Sequence, residues 1–158
     1  MKEISAKDIM TKNVITINKD STVSELAKLL IKNKICGVPV VDSNGKLVGM
    51  ATEADIIVKE SNLPFPLSFS FAFLESYESY TKTTKDYLKT RIEDIMTRKI
   101  KIVNEDMPVS KVVNMMINNN INRLPVLDKS NKLVGIITRE NIIASMIKKG
   151  KKQEKANK

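Results

Sequence analysis

Histidine is absent from this chain of 158 residues, and cysteine occurs once, as Cys36. Without an imidazole there is no His general acid or base, and no Ser-His-Asp or Cys-His nucleophile pair can form. The same shortage removes nearly every zinc site, because the ligands are missing. A lone cysteine excludes an internal disulfide framework and fits a reducing cytoplasm. Missing too is any apolar run near the ~18 residues that would span a bilayer. The N-terminus carries Lys2, Glu3, Lys7 and Asp8 in place of the apolar stretch of a secretion signal. No acidic pair is picked out by pattern, so no catalytic residue and no metal ligand is assigned, and the chain reads as a non-enzyme.

What is present in excess is positive charge, +9 from 27 Lys+Arg against 18 Asp+Glu. Part of it lies in Lys148-Lys149-Gly150-Lys151-Lys152, Lys155 and Lys158. Residues 148–158 read as a basic, disordered, solvated tail. The alternative is a phosphate-seeking patch for nucleic acid. Against it, the tail has no aromatic residue to stack on bases and no Arg.

The dominant feature is internal repetition. Asp8-Ile9-Met10-Thr11 returns as Asp94-Ile95-Met96-Thr97, Pro39-Val40 as Pro125-Val126, and Lys46-Leu47-Val48-Gly49 with Thr52 as Lys132-Leu133-Val134-Gly135 with Thr138. Residues 6–57 align with 92–143 without a gap, and 21 of the 52 pairs are identical. Such self-similarity means two copies of one structural unit. Each copy of about fifty residues would be marginal alone, so a shared core is expected.

Both copies show the same order of elements, β-α-β-β-α. An extended stretch (Val14–Ile17; Ile100–Val103) precedes helix-start chemistry at Asp20-Ser21 and at Asp106 before Pro108. Apolar residues then recur at helical spacing: Val23, Leu26, Ala27 and Leu30, matched by Val109, Val112, Val113 and Met116. Two short strands follow, joined in the first copy by Asp42-Ser43-Asn44-Gly45, a tight-hairpin signal. A last helix opens at Thr52 and at Thr138. The predicted organisation is a first repeat over 1–57, an insertion over 58–91, a second repeat over 92–147, and the tail. All four Phe and all three Tyr lie in the insertion. Phe69, Phe71 and Phe73 alternate like a strand, and 76–88 is helix-like. Such a segment is expected to pack on the repeats or to form a self-association surface.

The sharpest local pattern is Gly49-Met50-Ala51-Thr52-Glu53-Ala54-Asp55, echoed by Gly135-Ile136-Ile137-Thr138-Arg139-Glu140-Asn141. A Thr at a helix start, with a polar group three residues on, supports two readings. A helix N-terminus offers free N–H groups and partial positive charge to a phosphate, the Thr hydroxyl can donate to it, and Asp55 can accept from a ribose diol. Equally, Thr-x-x-Asp is a capping box in which the two side chains bond each other's backbone. Pro39 and Pro125 suit a backbone presented to a planar base or, alternatively, edge-strand punctuation. Arg123 is a phosphate clamp or a solvated side chain. Cys36 reads as a small packing residue, and Met115 and Met116 as core.

The ordered set of motifs, Asp-Ile-Met-Thr, x-Pro-Val-x-Asp and Leu-Val-Gly-x-x-Thr-x-x-Asp, all in tandem, resembles a pair of cystathionine-β-synthase (CBS) domains, a Bateman module. The resemblance covers about 1–57 and 92–147. It implies an α/β (α+β) fold of two repeats packed about a pseudo-two-fold axis, with two clefts between them. It further implies that AMP, ADP, ATP or S-adenosylmethionine binds there as a regulatory ligand, with no cofactor required, and that the module works as a homodimer. Carried over by residue, one cleft joins Thr52, Asp55, Ile100, Asn122, Arg123, Leu124 and Pro125. Asp55 would take the ribose, and Thr52 and Arg123 the phosphates. The other joins Val14, Thr16, Cys36, Gly37, Val38, Pro39, Thr138, Arg139 and Asn141. There Asn141 replaces the Asp, and an uncharged amide with one acceptor oxygen holds a diol less firmly.

The expected function is thus a stand-alone cytoplasmic regulatory module, without membrane association. It would signal to an effector protein by a shift between conformations. The alternatives are a basic nucleic-acid-associated protein and a scaffold whose clefts are vestigial.

Overall fold

A computed structural model describes residues 3–60, 82 and 84–156. The fold is mixed α+β, with two three-stranded sheets. The elements are α1 (Ala6–Ile9), β1 (Ile17–Asn18), α2 (Val23–Asn33), β2 (Gly37–Val41), β3 (Leu47–Thr52) and α3 (Glu53–Glu60). After a 3₁₀ turn at Ile92–Asp94 come β4 (Val103–Asn104), α4 (Val109–Asn118), β5 (Arg123–Leu127), β6 (Leu133–Thr138) and α5 (Arg139–Ala156). In each sheet the short first strand runs parallel to the second, which pairs antiparallel with the third. The chain forms two compact units, Ile15–Ile100 and Met1–Val14 with Lys101–Lys158. They are called here the inner and the outer unit.

These units do not follow the sequence repeats. Each takes the body of one repeat and the opening segment of the other. In the outer unit, Ala6 donates its backbone N–H to the Met107 carbonyl (2.8 Å), Lys7 to Glu105 (2.9 Å), and Thr11 pairs with Ile136. In the inner unit the same bonds recur 86 positions on: Ile92 to Ser21 (2.8 Å), Glu93 to Lys19 (3.0 Å), and Thr97 with Met50. Each unit has an apolar cluster of its own. One gathers Leu26, Val38, Val40 and Ala51 around the incoming Ile92, Ile95 and Met96. The other gathers Val112, Met116, Leu124, Val126 and Ile137 around Ala6, with Ile9 and Met10 packed on it. A fifty-residue repeat cannot cover its own sheet, and the exchanged segment supplies the missing apolar surface.

The exchange explains two motifs. Met10 and Met96 lie on Gly135 and Gly49, where a Cβ would collide with them. At Gly49 it would also come within 2.8 Å of the Thr97 carbonyl. The Gly of Leu-Val-Gly and the Met of Asp-Ile-Met-Thr are therefore packing partners. Ion pairs fasten the same joints: Lys7–Asp106 (2.6 Å) in the outer unit, Lys19–Glu93 (3.3 Å) and Arg91–Asp20 (3.3 Å) in the inner.

Several expectations are corrected. The cap of α2 is Thr22, bonded to the Glu25 N–H (3.2 Å) in a full capping box, and not Asp20-Ser21. The β2–β3 turn is organised by Asp42, whose carboxylate accepts from the Asn44 and Lys46 N–H groups (both 2.9 Å). Asp128 repeats this at β5–β6. Helix α5 runs to Ala156, consistent with the helix propensity of Lys, Gln, Glu and Ala. Cys36 is exposed, not packed, because it lies in the link from α2 to β2, just ahead of the buried strand. Met116 is buried as expected. Of the insertion, the expected strand and most of its aromatic residues, Phe65 to Tyr80, lie outside the described residues. Tyr87 is described: it packs on the inner core and donates its hydroxyl to the Ile56 carbonyl (2.9 Å).

Candidate functional site

The Thr-x-x-Asp pattern falls where β3 turns into α3, and its echo where β6 turns into α5. A buried strand ends there and its last Thr caps the helix, so both polar side chains are held at the surface end of a rigid element. In the inner unit the Asp55 Oδ2 accepts from the Thr52 N–H (2.8 Å) and hydroxyl (2.9 Å), and the Asp55 N–H reaches the Thr52 oxygen at 3.4 Å. The outer unit repeats the geometry with Asn141 Oδ1, at 2.8 and 3.0 Å, and 3.4 Å for the return bond. Both corners are thus capping boxes.

Capping does not exhaust either side chain. Asp55 Oδ1 makes no hydrogen bond among the described residues, and the side chain is half-buried at the surface. The Thr52 hydroxyl, by contrast, has its proton committed to Asp55, so a phosphate would have to compete for it. At Asn141 the second atom is an amide nitrogen that donates to the Thr11 hydroxyl (3.3 Å), on the exchanged segment.

Each unit brings one strand start to its own corner. Gly37 lies opposite Thr52 in the β2–β3 register, and the Glu53 N–H donates to the Cys36 carbonyl (3.0 Å). Arg123 lies opposite Thr138, and the Arg139 N–H donates to the Asn122 carbonyl (3.2 Å). Thr16 and Ile100, both half-buried, belong to the inner unit, and Val14, half-buried, to the outer. Of the sequence-predicted residues, Thr52, Asp55, Ile100, Thr16 and Cys36 to Pro39 therefore share the inner unit. Asn122 to Pro125, Thr138, Arg139, Asn141 and Val14 share the outer. Val38 and Leu124 are core residues, and Pro39 and Pro125 are also buried, so these four present backbone rather than side chain at the strand starts.

Thr11 was missed by the sequence reading. Its signal was present in the repeated Asp-Ile-Met-Thr, but nothing local tied that motif to the other repeat. No group of three or more Asp, Glu, Cys or His suited to a metal occurs among the described residues. No described helix is long and apolar enough to cross a membrane.

Comparison with known proteins bears on these corners. The CBS domain family model matches residues 6–61 and 92–148. A protein of Methanocaldococcus jannaschii called MJ1426, itself uncharacterised, is 37% identical over 152 residues, covering 89% of this chain and 90% of that one. The inosine-5′-monophosphate dehydrogenase of the same organism is 30% identical, but the chain spans only 23% of its length. Among solved structures, the CBS domain pair of MJ0100, in complex with 5′-methylthioadenosine and S-adenosyl-L-methionine, is 33% identical with a TM-score of 0.67. It covers 95% of this chain and 99% of that one. CBSX2 in complex with AMP is 26% identical with a TM-score of 0.70, over 91% and 96%.

Proposed function

This chain belongs to the CBS domain family, and from that premise we propose that it is a regulatory module that binds an adenosine-containing ligand at its strand–helix corners. The observation that carries the reading is Asp55 Oδ1, which makes no hydrogen bond among the described residues. It is an acceptor oxygen on a side chain fixed by three capping bonds and half-buried at the surface, which suits it to the hydroxyls of a ribose. AMP, 5′-methylthioadenosine and S-adenosylmethionine in the related structures fit the same chemistry. The inner corner holds a ribose diol more firmly than the outer, because Asn141 offers a donor where Asp55 offers a charged acceptor. Ligand binding biases the arrangement of the module, and an effector protein reads that bias without any catalytic step in this chain.

The module also self-associates. Exposed Ile31 and Ile57 on the inner-unit helices, and Ile117, Ile143, Met146 and Ile147 on the outer-unit helices, supply apolar surface for a second copy. Sedimentation of the purified protein is expected to give a dimer mass.

Thermal unfolding with AMP, ADP, ATP, S-adenosylmethionine and 5′-methylthioadenosine tests the ligand reading. A ligand at 100 times its Kd stabilises by about 2.7 kcal/mol, a shift of roughly 5–10 °C for a domain of this size. A shift with at least one ligand is expected. No shift with any of them overturns the reading.

A further inference from the structure

An aromatic ring marks a place where the two units differ. In the inner unit Tyr87 packs on the apolar cluster and donates its hydroxyl to the Ile56 carbonyl at 2.9 Å. It stands three residues ahead of Thr90, whose carbonyl accepts from the Val23 N–H at 2.9 Å. In the outer unit the Ile4 carbonyl accepts from the Val109 N–H at the same distance, so Ile4 is the counterpart of Thr90. The counterpart of Tyr87 is then Met1, which has no ring. Val23, at the start of α2, is fully buried, whereas Val109, at the start of α4, is only half-buried. At this place the outer unit has a groove of about 410 Å³, whose apolar wall includes Ile4, Val109, Val113 and Ile142. The last three are the counterparts of Val23, Ala27 and Ile56. Small-molecule sites commonly have volumes of about 300–1,000 Å³.

The polar part of the lining defines what the groove can take. None of the lining residues is charged, and both lining serines have their protons committed. The Ser110 hydroxyl donates to Glu3 Oε1 (2.7 Å), and the Ser145 hydroxyl to the Ile142 carbonyl (2.7 Å). Each serine keeps its oxygen lone pairs, so each can only accept from a ligand. Where the inner unit gives the Ile56 carbonyl to the Tyr87 hydroxyl, the outer unit gives the matching carbonyl to Ser145, whose own oxygen becomes the next acceptor. The Glu3 carboxylate held at Ser110 repels an anion. Apolar walls, acceptor oxygens and a nearby negative charge together select an aromatic ring with a hydroxyl donor and no negative charge.

We propose that this groove is a binding site for a small neutral phenol. Its ring lies on Val109, Val113 and Ile142, and its hydroxyl donates to Ser145 Oγ. The occupant is a ring of the kind that the chain itself supplies, as Tyr87, to the inner unit. The site is separate from the strand–helix corners and stands whether or not an adenosine ligand binds there.

The test is titration of the full chain with p-cresol, the tyrosine side chain as a free molecule, followed by carbon–proton NMR of the methyl groups. Saturable shifts are expected at Val109, Val113 and Ile142, with at most slight ones at Val23 and Ile56, whose place Tyr87 holds. p-Xylene, which has the ring without the hydroxyl, should bind about fivefold more weakly, the worth of one net hydrogen bond. Ser145→Ala puts a strong helix former on α5 and should bring p-cresol down to the affinity of p-xylene. 4-Hydroxybenzoate, with its carboxylate, should bind more weakly than p-cresol to the wild-type protein. Shifts that do not saturate, equal responses from the two units, or shifts centred on the exposed Ile31 and Ile117 overturn the inference. Equal affinities for p-cresol and p-xylene overturn it too, since the hydroxyl would then find no acceptor in the groove.

Discussion

The inner and outer units share one backbone plan, yet they differ in how tightly the exchanged segment is tied in. In the inner unit that segment brings Ile92, fully buried, where the outer unit has Ala6. Its 3₁₀ turn is flanked by Lys19–Glu93 and by Arg91 bonded to both Asp20 and Glu93. Among the described residues the outer unit's ion pairs share one carboxylate, Asp106, with Lys7 at 2.6 Å and Lys129 at 3.7 Å, and the Ser110 hydroxyl donates to Glu3 at 2.7 Å. The inner α2 begins with a Thr22–Glu25 capping box, whereas the outer α4 begins at Pro108 with no side-chain cap. Duplication preserved the fold while each copy acquired its own means of holding the joint. Only contacts that the fold requires, such as the Gly–Met pairs, stayed the same in both.

The largest expected effect tests whether the exchange carries stability. Ile92→Ala should cost about 2–5 kcal/mol, as for any large aliphatic residue truncated in a core. Hydrogen exchange should show the loss in β2 and β3 of the inner unit, although Ile92 belongs to the other repeat. Protection lost only near β5 and β6 would contradict the exchanged arrangement.

The glycines sharpen the contrast. Gly49→Ala drives a Cβ against the Thr97 carbonyl, a backbone atom that cannot swing aside, and should cost about 1–3 kcal/mol. Gly135→Ala meets the Met10 side chain first, whose Sδ and Cγ can swing aside while its Cβ at 3.1 Å needs to give only slightly, so urea midpoints should fall less for it. The reverse order would show that β6 is the more rigidly packed.

Thr22→Ala should destabilise by about 1 kcal/mol through loss of the cap. Pro108→Ala has no such bond to lose and should shift the thermal midpoint less. Equal shifts would mean that the Thr22 box contributes nothing.

The smallest effect is with pH. The Thr22 N–H holds the Glu25 carboxyl below its ordinary range, and hydrogen bonds from Lys19 and Lys7 do the same for Glu93 and Asp106. A carboxylate depressed in the folded state adds stability above its unfolded pKa, near 4, and loses it as pH falls through the folded value. Stability should therefore be level above about pH 5 and decline below about pH 4. The inner unit, with two such groups, should lose more protection than the outer, with one. Lys7 has the opposite sign: its pKa is raised by Asp106, so its contribution is complete at neutral pH and fades only as pH rises beyond the ordinary lysine range.

Much of the fold was legible because repetition and period are local properties of the chain. The two strands either side of Asn44-Gly45 and the Val23-Leu26-Leu30 stripe are written in adjacent residues, and the structure places them as expected. Caps were read less well. Asp20-Ser21 looked like a helix start, yet Thr22 won because Glu25 lies three residues on and can close the box. At the candidate site, Thr52 and Asp55 were visible as one motif, and the capping bonds confirm the spacing. What those residues do beyond capping depends on which atoms remain unpaired, and no pattern in the sequence lists that.

The sequence by itself determined that there are two copies of one unit, that the family is that of CBS domains, and that no histidine stands in this sequence to pair with its one cysteine. Only the tertiary structure decided that each unit borrows its opening segment from the other repeat. That choice depends on which apolar surface is left uncovered once a sheet of three strands has formed. It also decided that Arg123 stands opposite Thr138 and that Thr11 holds the Asn141 amide, pairings across 15 and 130 residues that only strand register and segment exchange could bring together.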